Sequence, residues 1–86
     1  MKLPLLSEVY RNAGVFDSGR SPATFNEFTD QLPALRPEVL REAADAVAAV
    51  APAGVNKVMV EEGKGVPLGT AVALATGLPL AIAREY

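Results

Sequence analysis

The chain has no cysteine, no histidine and no tryptophan. Without cysteine there are no disulfides, no thiolate metal sites and no cysteine nucleophile. Without histidine the commonest general base and metal ligand are gone, and so is a Ser-His triad. Positive charge is also scarce: eight Lys plus Arg stand against ten Asp plus Glu, a net charge of −2. That leaves no basic footprint for phosphate backbones and excludes a nucleic-acid partner. No run approaches the ~18 apolar residues of a membrane span, and the first six residues are too short for a signal peptide. The expectation is a cytoplasmic protein with no membrane partner. What the chain does have is apolar surface. Half of its 86 residues are hydrophobic and only 21% are charged, which argues against disorder. Any chemistry must use carboxylates, Lys, Arg, hydroxyls or the backbone. A chain of this size is one small domain or part of a larger one, and would bury roughly 60–65% of its unfolded surface.

Five elements and two irregular stretches can be read in order. Leu5, Leu6, Val9 and Ala13 share one side of a short helix over 5–13, with Gly14 as its stop. Residues 15–23 read as irregular, with turn signals at Asp17-Ser18-Gly19 and Ser21-Pro22. Phe25, Phe28 and Leu32 suggest a weak strand or strand-like loop over 24–32. The clearest helix is 37–50: Pro37 stands at the first helical position, Glu38 in the first turn, and Val39, Ala43, Val47 and Val50 form an apolar stripe. Arg41, Glu42 and Asp45 should face out. Residues 55–60 are a β-branched strand. A glycine loop follows, then a charge-free helix over 67–76 stopped by Gly77, then a strand over 78–84. A helix apolar nearly all round is expected to be buried. The order from residue 37 is therefore αβαβ. It predicts a parallel crossover, and an α/β fold with an incomplete doubly wound parallel sheet.

The loop over 61–66 is where chemistry would sit. Ligands of open α/β sheets bind beyond the carboxyl ends of strands. This loop leads into a helix whose first turn has neither a capping side chain nor an acid. Gly63 and Gly65 permit close approach or positive φ, and Lys64 between them adds a cation. Together they suit a phosphate or pyrophosphate. The alternative is a tight turn with a solvated lysine. The spacing is neither a P-loop nor a G-x-G-x-x-G fingerprint. Neighbouring Glu61 and Glu62 alternate in direction, so they are not an acid/base dyad. Arg84, ending the last strand, stands at the same sheet edge as Lys64, where it either adds a second cation or is a surface side chain.

The run Val-Glu-Glu-Gly-Lys-Gly-Val-Pro-Leu-Gly-Thr-Ala-Val-Ala-Leu-Ala-Thr-Gly-Leu-Pro-Leu-Ala-Ile-Ala-Arg, residues 60–84, resembles the type I phosphoribosyltransferases. The likeness is to their purine group, adenine or archaeal hypoxanthine/guanine. Residues 29–40, Thr-Asp-Gln-Leu-Pro-Ala-Leu-Arg-Pro-Glu-Val-Leu, resemble the segment before that family's first core helix, so the likeness covers 29–86. It implies that Glu62, Gly63, Lys64 and Gly65 form a pyrophosphate loop, often with a non-proline cis peptide, and that Arg84 lies near the pyrophosphate. It implies transfer of ribose 5-phosphate from phosphoribosyl pyrophosphate to a purine base, with Mg²⁺ in the complete enzyme. Two departures stand out. Glu85 replaces a residue that is often Lys. The later strand ending in two acids, with its Thr/Gly-rich loop, is absent, as are the flexible catalytic loop and the base-binding hood residues.

The resemblance therefore implies the N-terminal part of such an enzyme, with residues 1–36 as a helix and hood-like segment and 37–86 as the αβαβ core. No catalytic residue and no metal ligand is assigned. Such a chain is expected to be inactive alone and to bind no cofactor by itself. The alternatives are a non-enzymatic nucleotide- or phosphate-binding regulatory module, or an assembly unit. A sheet of two or three strands cannot cover the charge-free helix, so a homo-oligomer or a partner chain is expected.

Overall fold

The structure is a computed structural model that describes residues 2–17, 19 and 22–85, of which 16, 17 and 22–25 are described by backbone alone. Eight elements run α1 (Pro4–Arg11), β1 (Gly14–Asp17), β2 (Pro22–Phe25), α2 (Glu27–Asp30), α3 (Pro37–Val50), β3 (Val58–Glu61), α4 (Val66–Thr76) and β4 (Leu80–Ala83).

From residue 37 the order is the predicted αβαβ, and β3 pairs with β4 in parallel. Val58 stands opposite Leu80, and Glu61 opposite Ala83. Two further bonds extend the ladder: Val58 N–H donates to the Pro79 carbonyl, and Glu62 N–H to that of Ala83. The expected strands over 55–60 and 78–84 are thus shorter and shifted, because the pairing register fixes their ends. α4 packs on this sheet and α3 packs on α4.

Gly69 sets how close α4 comes. A Cβ there would overlap Val60 Cγ1, with Val60 Cβ and Cγ2 at 3.3 and 3.4 Å. The small residue lets the helix backbone lie on the strand. Gly77 ends α4 in the left-handed conformation at φ +74°, as a C-terminal glycine should.

The core is small: Val9, Val39, Ala43, Ala44 and Val72. Val39 is fully buried, but the predicted stripe on α3 opens towards its end, where Val50 is exposed. α4 also departs from expectation. Only Gly69 and Val72 are buried along it, and Leu74 is 82% exposed. The charge-free helix meets the sheet and α3, but no described element covers its remaining face.

The N-terminal part differs most from the sequence reading. The helix over 5–13 is Pro4–Arg11. Leu3 supplies no cap, and Glu42 does so instead, accepting from Leu5 and Leu6 N–H at 3.0 and 2.7 Å. Glu42 therefore does not face out freely; it ties α1 to α3. Residues 15–23, expected to be irregular, hold most of an antiparallel hairpin in which Gly14 pairs with Phe25 and Asp17 with Pro22. Of the turn signals there, Ser18 and Ser21 lie outside the described residues. The weak strand or strand-like loop expected over 24–32 holds strand only at its start, where β2 ends, and α2 follows. Asn26 caps that helix, its Oδ1 accepting from Phe28 and Thr29 N–H at 2.9 and 2.8 Å.

Candidate functional site

The loop over 62–65 joins the carboxyl end of β3 to α4. Gly63 sits at φ +131°, a conformation that L side chains rarely adopt. Gly65 is different. As the residue capping α4 it has φ −78°, and a Cβ there would meet nothing closer than 3.9 Å. Positive φ is thus required at Gly63 but not at Gly65. The non-proline cis peptide expected of such a loop is not found: among the described residues the cis bond is Leu32–Pro33. The start of α4 has no side-chain cap and no acid in its first turn.

The two cations proposed for the site are each paired with an acid. Lys64 Nζ lies 3.0 Å from Asp30 Oδ1, across 34 residues of chain. Arg84 lies 3.6 Å from Glu62 Oε2. Glu62 also accepts from Glu85 N–H at 3.0 Å, so it links the loop to the residues after β4. An open hollow of about 580 Å³ beyond the strand ends is lined by Glu61, Glu62, Ala83, Arg84 and Glu85. Glu62 and Arg84 are thus brought together at its wall, whereas Lys64 is turned to α2. Three carboxylates and one guanidinium leave this hollow with excess negative charge.

Asp30 is the participant that the pattern of residues did not reveal. Its side chain is 7% exposed. Its Oδ2 accepts from Asn26 N–H and Thr29 Oγ1, each at 3.0 Å. The Asn26 N–H, with Lys64 next, holds the carboxyl below its ordinary range. A second knot sits beside it. Glu27 accepts from Arg36 N–H at 2.8 Å and from Arg36 Nε at 2.8 and 3.1 Å, and Arg36 reaches Glu8 at 3.7 Å. The Arg36 hydrogen bonds lower the Glu27 carboxyl and raise the guanidinium. No local motif signals either pairing, since both are made by tertiary placement.

No family model matches the chain. Curated proteins do. A hypoxanthine/guanine phosphoribosyltransferase of Ferroglobus placidus is 32% identical over 80 residues, 93% of this chain and 43% of that protein. Those of Methanohalophilus mahii and Methanothrix thermoacetophila are 31% and 34% identical over 83 residues, 96% of this chain and 44% of each. The chain is a homologue of the hypoxanthine/guanine phosphoribosyltransferases. It spans less than half the length of these relatives. The similarity is wider than the motifs over 29–86 alone, because 80 or more of the 86 residues align. The N-terminal residues therefore belong to the phosphoribosyltransferase likeness too.

Among the described residues, no three acidic side chains of this phosphoribosyltransferase homologue converge as a metal cage would require. Glu62, the acid of the loop itself, already faces Arg84. No helix among the described residues is long and apolar enough to cross a membrane.

Proposed function

We propose that this chain carries the pyrophosphate-binding part of a purine phosphoribosyltransferase-like protein. Glu62, Gly63, Lys64, Gly65 and Arg84 would hold the leaving group of phosphoribosyl pyrophosphate. The observation that carries the reading is the position of this loop, at the carboxyl end of a parallel strand and at an uncapped helix start, in a homologue of enzymes that handle this substrate. In the complete reaction a purine nitrogen forms a bond to the ribose carbon, and pyrophosphate departs with the electrons of the broken C–O bond. Stabilising that charge is the task of the loop.

The αβαβ unit would be part of a larger doubly wound sheet, with residues 1–36 as a hood-like segment beside it. The ion pairs do not oppose the reading. The Lys64 and Arg84 side chains are 74% and 51% exposed, and solvent-screened pairs re-form at small cost. The purine-binding part, any Mg²⁺ and the second half of the substrate site would come from elsewhere in a complete enzyme. The chain alone would then turn over little or no substrate.

Calorimetry with phosphoribosyl pyrophosphate and with inorganic pyrophosphate tests the reading. Wild type should bind, and Lys64→Ala should bind about two- to ten-fold more weakly. Binding that is unchanged in Lys64→Ala sinks it. So would robust nucleotide formation by the chain alone sink the claim that the rest of the enzyme is needed.

A further inference from the structure

The pair between Asp30 and Lys64 is unequal. The Asp30 side chain is only 7% exposed and is held on its Oδ2 side by Asn26 N–H and Thr29 Oγ1. If Lys64 left, those two hydrogen bonds would still hold Oδ2 in place, and Oδ1 alone would lose its partner. Lys64 is largely exposed, its ammonium has donors to spare, and among the described residues its partner is Asp30 Oδ1. It also sits next to Gly63, whose φ of +131° marks the bend of the loop. A fixed anion thus faces a cation that is free to turn. Such a pair sets the pull of Asp30 Oδ1 directly against that of an incoming anion for the same ammonium.

We propose that Asp30 is the internal counter-ion of the loop, a positioning residue that holds Lys64 while the site is empty and yields it to pyrophosphate. This rests on the pyrophosphate reading of the loop and adds a residue to it. Asp30 competes with the ligand for one ammonium. Removing its charge should therefore strengthen binding, an outcome that loss of a merely structural contact does not produce. The competitor comes from α2, far from the loop in sequence, so α2 sets the affinity of a site it does not line.

Titration with inorganic pyrophosphate separates the possibilities. Asp30→Asn should bind about two- to five-fold tighter than wild type, the size expected of a solvent-screened pair. Asp30→Glu, which keeps the charge, should stay close to wild type. In a Lys64→Ala background Asp30→Asn should change nothing, because the competition is gone. A second measurement needs no variant at position 30: the Asp30 side-chain carboxyl carbon resonance of wild type should move on saturation, towards its position in Lys64→Ala. Pyrophosphate binding with equal affinity for wild type and Asp30→Asn overturns the inference and leaves the loop reading standing. So does saturation without movement of the Asp30 resonance. Absence of pyrophosphate binding in every variant overturns both together.

Discussion

At the scale of single residues, close packing rather than charge separates the glycines of this chain. Gly63 is required by its φ, Gly69 by the space its Cβ would need, and Gly65 by neither. In sequence all three look alike, because a glycine's reason lies in what approaches it. Gly69→Ala is the sharpest test. Inside a helix, alanine alone would stabilise by about 0.5–1 kcal/mol. Here the new methyl overlaps Val60 Cγ1 and sits tight against its Cβ and Cγ2, so this stiff β-branched side chain must leave its rotamer or α4 must lift from β3. The expected net effect is a loss of roughly 1–3 kcal/mol, read as a lower urea midpoint. Val60→Ala combined with Gly69→Ala should recover part of it. A Gly69→Ala chain as stable as wild type would mean that α4 does not lie so close to β3. The candidate site shows a similar limit. Gly63, Lys64, Gly65 and Arg84 could be named as candidates from the order strand, glycine loop, helix, strand, and Glu62 joined them through the family resemblance. Asp30 could not, because nothing around it in sequence announces a partner 34 residues away.

At the scale of elements, what could be read depended on length. α3 has the predicted bounds because fourteen residues carry a proline start, an early acid and several turns of periodicity. β1 and β2 have four residues each, too few for alternation to stand out, and they form only because they pair. α2 is also four residues long, and it is fixed by tethers: Asn26 at its start, Glu27 to Arg36, and Asp30 to Lys64. Those tethers predict an acid dependence. The carboxyls of Glu27 and Asp30 titrate lower in the folded chain than when unfolded. As pH falls, the unfolded chain therefore takes up protons first. The stability these groups add is complete above the ordinary carboxylate range, about pH 4, and is lost as pH falls through their lower folded-state values. Urea midpoints should hold near neutrality and decline through the acid range. Arg36→Met removes the partner of Glu27, so its midpoint should start lower and decline less steeply. Parallel acid limbs for wild type and Arg36→Met would show that the knot contributes nothing to folding.

At the scale of the whole molecule, the chain exposes more than a self-contained protein of its size. A folded monomer of 9.0 kDa is expected to expose about 4,900 Å². This one exposes 6140 Å², roughly a quarter more. Its radius of gyration of 14.2 Å likewise exceeds the roughly 12 Å expected of a compact chain of this length. The surplus includes Leu74 on α4 and Met59 on β3, 82% and 68% exposed, and among the described residues β3 and β4 pair only with each other. An apolar groove of about 340 Å³ between α3 and α4 is lined by Leu40, Ala44, Ala71 and Leu74, with Arg41 and Asp45 also along it. Opposite charges one helical turn apart are self-complementary under a two-fold axis, so a second copy could set its Asp45 against Arg41. The surplus area is also of the order that one partner buries in a stable interface, about 800 Å². Sedimentation velocity should therefore show the isolated chain associating as its concentration rises. Leu74→Asp should return it to a monomer without loss of helix content by circular dichroism, because Leu74 contributes to the exposed face and not to the core. A clean 9.0 kDa monomer at every concentration would rule out association through this face, and would require the chain to be stable with its apolar groove in water.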